Sequence, residues 1–315
     1  MSIPPAIDCW YLTGPTAGGK TGVGLTLAKL LKAEIISLDS MALYRGMDIG
    51  TAKPTAAQRE ETPHHLIDIL EPEEEYSLAQ YLEAAWCAIR EIRQRGREVL
   101  FVGGTPLYLK GLLRGVFQGP AADWGFRQQL EQEARSQNPS YLHRKLAEID
   151  PASANWLHPN DTRRIVRALE VYQLTGRPIS EFQKQFKVGR AAEECRVFVL
   201  DWPREELYSR IDRRVDEMFS AGLVDEVRCL LGRPHPLSRT AIQALGYREV
   251  IEHLQGGRGL PETMELVKMH TRQFAKRQLT WFRSLSECRF VGASGADSAE
   301  TVARQIAGLG HGRAG

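Results

Sequence analysis

The chain has 315 residues, 43% hydrophobic and 25% charged, the balance of a soluble globular protein, which excludes a disordered or collagen-like one. A formal net charge of only +2 means that any nucleic-acid contact must come from local clusters of Lys and Arg. Cys9, Cys87, Cys195, Cys229 and Cys288 include no C-x-x-C pair, and no apolar run approaches the ~18 residues of a membrane span, so reduced thiols in a cytoplasmic protein without membrane segment or signal peptide are expected.

Residues 8–13 are rich in β-formers and predict a first strand. They run into Gly14-Pro15-Thr16-Ala17-Gly18-Gly19-Lys20-Thr21, a complete G-x-x-x-x-G-K-T loop of the nucleotide-binding, ATP-binding type. Val23, Leu27, Leu30 and Leu31 then fall at helical spacing, although Gly22 and Gly24 each cost about 1 kcal/mol relative to Ala inside a helix. In a strand-loop-helix unit of this kind, glycines let successive N–H groups converge on an anionic oxygen at the positive end of the helix. Lys20 supplies a charge for the outer phosphate oxygens, and the Thr21 hydroxyl supplies a ligand for a bridging Mg²⁺. Phosphate chemistry is therefore the first expectation, while the loop alone leaves open which phosphate compound it holds.

Further strands are expected over 34–38, 66–70 and 99–102. Between the last two, Leu78, Tyr81, Leu82, Ala85, Ile89 and Ile92 trace one face of an amphipathic helix. Alternating strands and helices predict an α/β fold, a P-loop NTPase-like parallel sheet flanked by helices. Asp39 follows the second strand at the carboxyl end where open α/β sheets place their sites, and an acid there serves as a base, a metal partner or a simple loop cap. Gly103-Gly104-Thr105 ends another strand and fits either close ligand approach or a tight turn. His64 and His65 lack acidic or cysteine partners at ligand spacing, which favours a structural role over a metal site. Glu73-Glu74-Glu75 reads as a solvated helix start.

After Gly119-Pro120 the β signal stops, and helices are predicted over 124–136, 140–149 and 162–175. A strand over 196–200 and helices over 205–221, 223–231 and 266–283 follow. The expected organisation is a catalytic core of 1–119 and 191–315 with an all-helical insertion domain over 120–190. Within that insertion, Arg163, Arg164 and Arg167 crowd one helical turn and its neighbour behind a cap at Asp161 or Thr162, either a solvated face or a phosphate-contacting one. The stretch 271–283 interleaves Arg272, Lys276, Arg277 and Arg283 with Phe274, Trp281 and Phe282. That pattern suits a groove for single-stranded nucleic acid, or an amphipathic helix with its basic side in water. The Gly-, Ala- and Ser-rich tail after Gly292 is expected to fray at its end.

Eight ordered strings taken together resemble the bacterial tRNA dimethylallyltransferases, also called tRNA isopentenyltransferases. They are the phosphate loop, Asp39-Ser40-Met41, Gly50-Thr51-Ala52-Lys53-Pro54, His65-Leu66-Ile67-Asp68, Val102-Gly103-Gly104-Thr105, Arg163-Arg164-Ile165-Val166-Arg167-Ala168-Leu169-Glu170, Gln243-Ala244-Leu245-Gly246-Tyr247, and the basic aromatic stretch. The resemblance implies transfer of a dimethylallyl group from dimethylallyl diphosphate to N6 of the adenosine 3′ of the anticodon, with the phosphate loop redirected from ATP to a prenyl diphosphate. It implies Asp39 as general base, with Lys20 and Thr16 as further catalytic residues. Diphosphate binding falls to Gly14, Pro15, Thr16, Ala17, Gly18, Gly19, Lys20, Thr21 and Arg210, and Mg²⁺ to Thr21. Contacts to the tRNA anticodon stem-loop fall to Asp39, Ser40, Met41, Ala42, Thr105, Arg127, Arg163, Arg164, Ile165, Val166, Arg167, Gln243, Tyr247, Arg248, Lys276, Arg277 and Arg283. The family commonly has Gln-Val where Ala42-Leu43 stands and Gly where Pro106 stands. No C-x-x-C zinc-finger extension follows, so a bacterial cytoplasmic enzyme is expected, and a monomer could bind an anticodon stem between core and insertion. A small-molecule kinase, or an isopentenyltransferase acting on AMP, would share the loop and acid but has no use for the arginine-bearing insertion. A GTP switch would need an N-K-x-D motif, which does not occur in the chain.

Overall fold

The computed structural model describes residues 2–117, 119–120, 122–137, 140–182 and 189–312, and the chain divides into two compact units: residues 1–5 with 114–188, and residues 6–113 with 189–315. In the smaller unit β1 (Ser2–Ile3) pairs antiparallel with β6 (Val116–Phe117), which is why the first five residues belong to it. Helices Trp124–Ser136, Tyr141–Ile149 and Thr162–Thr175 close on a core that includes Leu130, Leu142, Leu146, Ile165, Val166 and Leu169. Their ends follow from local chemistry. Asp123 accepts the Phe126 amide at 3.0 Å, Asp161 accepts the Arg164 amide at 3.3 Å, and Gly176 ends the last helix in a left-handed conformation.

In the larger unit, β2 (Trp10–Thr13), β3 (Ala33–Ser37), β4 (His64–His65), β5 (Glu98–Val102), β7 (Arg196–Asp201) and β8 (Cys288–Gly292) form a parallel sheet in the order β4-β3-β5-β2-β7-β8. Every residue of β2 and β3 is buried, as expected of a parallel sheet covered on both faces. Trp10 and Leu12 point to one face, where helices Lys20–Leu31 and Ala299–His311 contribute Val23, Leu27, Leu31, Val302 and Ile306. Tyr11 points the other way and stacks on Phe101 with centroids 4.9 Å apart, its hydroxyl donating to the Ala6 carbonyl at 2.6 Å. Tyr81 ties helix Leu78–Gln94 to the end of β3 by a 2.8 Å bond to the Ser37 carbonyl. A Cβ on Gly24 would stand 3.0 Å from the Val102 side chain, so close packing on β5 outweighs that glycine's helix penalty.

Several expectations need correction. No strand covers 66–70, because Leu66 and Asp68 take left-handed φ values of 58° and 56° and turn the chain away after His65. The Asp68 carboxylate is instead held by Lys53 at 2.6 Å and Arg59 at 2.5 Å. The tail after Gly292 contains helix Ala299–His311, ordered by burial of Val302, Ala303 and Ile306, and the expected frayed end lies in residues 313–315, outside the described residues. The basic aromatic stretch is the last half of a longer helix, Leu260–Arg283, begun by a proline in its first turn.

Candidate active site

Gly14 to Gly19 link β2 to the helix that starts at Lys20. Gly19 caps that helix at φ 79°, and Ala17, at φ 59°, holds a left-handed conformation that a side chain disfavours. Two groups from elsewhere in the chain pin the loop carbonyls. Trp202 donates its indole N–H to Gly18 at 3.0 Å, and Arg210 donates Nε to Ala17 at 2.9 Å while lying 4.1 Å over the Trp202 ring. With those carbonyls tied back, the amides of Gly19, Lys20 and Thr21 head a helix where no intrahelical acceptor exists, which forms an anion cradle. The Thr16 amide is already engaged by Gln278 at 2.9 Å, so the Thr16 hydroxyl is the group it retains for a ligand. Lys20 folds back onto the carbonyls of Pro15 at 2.7 Å and Gly14 at 3.1 Å. Burial and then the Arg214 charge push its ammonium down to about 7, against an opposing pull from Asp39. Arg214 is itself lowered, chiefly by burial.

The ends of three strands interlock beside the loop: Leu38 donates to Val102 at 2.9 Å, Gly103 to Leu12 at 3.2 Å and Thr105 to Leu38 at 3.0 Å. This is the carboxyl edge of an open parallel sheet, where ligands bind. A Cβ on Gly103 would lie 2.3 Å from the Leu38 carbonyl, and one on Gly104 would lie 2.6 Å from Gln278 Nε2 and 3.4 Å from Lys20 Nζ. Both glycines therefore serve close packing of the protein on itself. Asp39 accepts the Met41 amide at Oδ1, 2.9 Å away, which orients the carboxylate and leaves Oδ2 for a proton. Thr105 Oγ1 accepts the Ser40 amide at 3.1 Å, and Ala42 is only 6% exposed. Gln278, nearly fully buried, bridges the Thr16 amide to the Gly104 carbonyl at 2.6 Å.

Thr16 to Thr21, Asp39 to Ala42, Thr105, Arg210, Gln243, Tyr247, Arg248 and Arg277 all line one cavity of about 860 Å³ in the larger unit. His270, Arg214 and Phe274 join them. Tyr247 is 2% exposed and gives its hydroxyl to Glu226 at 2.6 Å, which makes it part of the wall's support. The buried Glu249 carboxylate orients Arg248 at 2.6 Å and His270 Nδ1 at 2.7 Å; its pKa is lowered because those bonds outweigh desolvation. On helix Leu260–Arg283, Lys276, Arg277 and Arg283 are exposed, but Phe282 is fully buried and serves the core. The cation-with-aromatic pattern thus splits into an outward basic face and an inward aromatic anchor.

The remaining predicted contacts belong to the smaller unit. Arg163 and Arg164 are exposed, Arg164 lying 3.3 Å from Asp161. Ile165 and Val166 sit in the core of that unit at 0% and 3% exposure, so their side chains are unavailable to RNA, a correction that follows from helical periodicity. Arg127 grips the buried Glu170 through two 2.8 Å bonds, and Arg167 pairs with the same carboxylate and with the Pro120 carbonyl at 3.0 Å. Glu170 therefore holds both guanidiniums in fixed orientation.

For a divalent cation the donor set is sparse. Among the described residues no cluster of three His, Cys, Asp or Glu is arranged to hold a metal. Near the loop the cavity offers the Thr21 hydroxyl and the Asp39 carboxylate. Such a set fits Mg²⁺ that keeps most of its waters and arrives with substrate phosphates, and does not fit a dedicated protein cage. His64 and His65 are taken by the Thr62 carbonyl at 2.6 Å and by Glu34 at 2.7 Å. No described helix is long and apolar enough to cross a membrane.

The chain is similar to known proteins over most of its length. The family model described as IPP transferase matches residues 42–285. The chain is 47% identical to the tRNA dimethylallyltransferase of Rhodopirellula baltica over 94% of its length and 91% of the relative, and 47% identical to that of Pelotomaculum thermopropionicum over 94% of each. Among solved structures, it resembles the full-length tRNA isopentenylpyrophosphate transferase of Bacillus halodurans with a TM-score of 0.69 at 40% identity, covering 96% of both chains. A eukaryotic dimethylallyltransferase acting on tRNA aligns with a TM-score of 0.77 at 28% identity, over 95% of this chain and 77% of that one.

Proposed function

The chain belongs to the IPP transferase family of tRNA dimethylallyltransferases, and on that premise we propose that it moves a dimethylallyl group from dimethylallyl diphosphate to N6 of the adenosine 3′ of the anticodon. One observation carries the reading. The phosphate loop and the oriented Asp39 carboxylate line a single cavity of about 860 Å³, within the size range of ligand sites.

An exocyclic adenine amine is a weak nucleophile because its lone pair is delocalised into the ring. As its nitrogen bonds to the allylic carbon, the carbon-oxygen bond to the diphosphate breaks and that electron pair leaves with the diphosphate. The N6 proton passes to Asp39 Oδ2, since Oδ1 is occupied by the Met41 amide. Charge growing on the leaving group meets the amides of Gly19, Lys20 and Thr21, the Lys20 ammonium and Arg210, on a loop held at Thr16, Ala17 and Gly18 by Gln278, Arg210 and Trp202. Thr21 would hold Mg²⁺ brought in with the diphosphate, and that ion would neutralise part of the leaving charge. Thr16 acts through its hydroxyl. The target base reacts only when drawn out of the anticodon stack, which requires unpaired bases and fixed cations on the protein. Arg163, Arg164, Arg127 and Arg167 of the smaller unit, with Gln243, Arg248, Lys276, Arg277 and Arg283 of the larger, are the proposed phosphate and base contacts. We read the enzyme as a monomer.

The test is incubation of the pure protein with Mg²⁺, labelled dimethylallyl diphosphate and either unmodified tRNA or AMP. Label is expected in tRNA. Label in AMP alone would replace this reading with that of an adenylate isopentenyltransferase.

A further inference from the structure

The cavity that takes in the phosphate loop also has a wall of small side chains. Gly50, Thr51 and Ala52 line it, all small and uncharged. Lys53 follows them, but its ammonium is spent on Asp48 at 2.7 Å, Asp68 at 2.6 Å and the Tyr44 carbonyl at 2.5 Å, with the side chain 2% exposed. The other end of this loop is held by one carboxylate. Glu226, on helix Leu223–Leu231, accepts the amides of Asp48 at 2.9 Å and Ile49 at 2.8 Å on Oε2, and the Gly50 amide at 3.3 Å with the Tyr247 hydroxyl at 2.6 Å on Oε1. Four donors converging on a carboxylate make a strong, directional clamp. The fit is close: a Cβ on Gly50 would stand 2.4 Å from Tyr247 Cε2 and 2.7 Å from Cζ.

We propose that Glu226 is a positioning residue that fixes the 48–53 loop as the surface against which the acceptor adenine lies. The inference rests on the reading of the cavity as a prenyl-transfer site. Its argument is complementarity: the diphosphate requires cations, which Lys20 and Arg210 provide at the loop, whereas a flat uncharged base requires a wall of small side chains held still; the Arg214 guanidinium meets this wall through the backbone, 3.5 Å from the Thr51 carbonyl. Glu226 does not line the cavity, because its oxygens are consumed by the loop. It therefore acts on the acceptor through the backbone of residues 48–50 and through the Tyr247 hydroxyl it holds, and any effect should fall on one substrate.

Glu226→Gln keeps the volume but turns an amide NH₂ toward N–H donors. The expected result is a KM for tRNA raised at least about tenfold, with the KM for dimethylallyl diphosphate within twofold of the unaltered enzyme and an unchanged far-UV circular dichroism spectrum. Gly50→Ala leaves Glu226 intact and displaces the same loop from the Tyr247 ring, so it should give the same split and decides the matter if Glu226→Gln does not fold. Equal rises in both KM values, or a tRNA KM within twofold in a folded variant, would overturn the role given to Glu226 while leaving the activity in place. An unaltered protein that transfers nothing to tRNA would overturn both.

Discussion

Binding of a diphosphate is expected to draw a proton onto Lys20. In the folded chain, burial and the neighbouring Arg214 lower the ammonium from the ordinary 10.5 to about 7, with Asp39 working in the opposite direction. At about 1.36 kcal/mol per unit, the site resists that charge by on the order of 5 kcal/mol. A bound diphosphate supplies counter-charge and returns the group toward the normal lysine range. Above pH 7 the free enzyme has mostly shed the proton while the complex retains it, so affinity falls as pH rises. Below pH 7 both forms carry it and this dependence vanishes. Between pH 7 and 9 the protonated fraction drops from about one half to about one hundredth, so Kd should rise roughly 50-fold. The ligand's own terminal ionisation, near pH 6, is complete over that range. Calorimetric titration with dimethylallyl diphosphate at pH 8, in buffers of different ionisation enthalpy, should show uptake of about 0.9 proton. Lys20→Met should abolish both the uptake and the pH dependence. Uptake below about 0.2 proton, or a Kd constant within twofold from pH 7 to 9, would refute the argument.

Four further outcomes are expected. Asp39→Ala should retain tRNA affinity but lose turnover by about 10²-fold or more in single-turnover assays; unchanged turnover removes Asp39 as the base. Replacing Arg163 and Arg164 with Gln should reduce the slope of log K against log salt by about 0.7 per lost phosphate contact, and an unaltered slope returns these exposed side chains to plain solvation. Glu170→Gln leaves Arg127 and Arg167 without their shared counter-charge; because both keep some solvent contact, a loss of about 3 kcal/mol is expected in urea unfolding, and less than about 1 would contradict the clamp. Gly103→Ala should lower stability by at least about 1–3 kcal/mol, since its Cβ meets the Leu38 backbone, which has no room to yield; a neutral melting temperature would show otherwise.

The phosphate loop is legible in sequence because its chemistry demands fixed residue types at adjacent positions. The parallel sheet is legible for a similar reason, since strands buried on both faces read as short apolar runs between helical periods. What holds the loop is not legible in this way. Trp202 lies 184 residues from Gly18, and Gln278 lies 262 residues from Thr16; nothing local in either segment marks them as partners. Gln278 is flanked by the charged and aromatic residues that drew attention to its helix, yet it is the uncharged member that holds the phosphate loop. Ile165 and Val166 fail the opposite way: a contiguous family string lends them a binding role, while 3.6-residue periodicity turns both inward. Residues 66–70 read as a strand by composition, but the capture of Asp68 by Lys53 and Arg59 accompanies a left-handed turn that composition does not encode.

Helix Ala299–His311 has a consequence for biosynthesis. Its Val302, Ala303 and Ile306 cover the same sheet face as helix Lys20–Leu31 and Trp10. During translation at roughly 5–20 residues per second, about 270 residues separate the emergence of these two covers, a delay of some tens of seconds. Strand β8, beside β7, arrives just as late. For that interval the nascent chain presents an uncovered apolar face and an unpaired strand edge. The larger unit therefore completes its core only when this late segment has been made, and its yield in the cell should depend on holdase chaperones more than its equilibrium stability suggests.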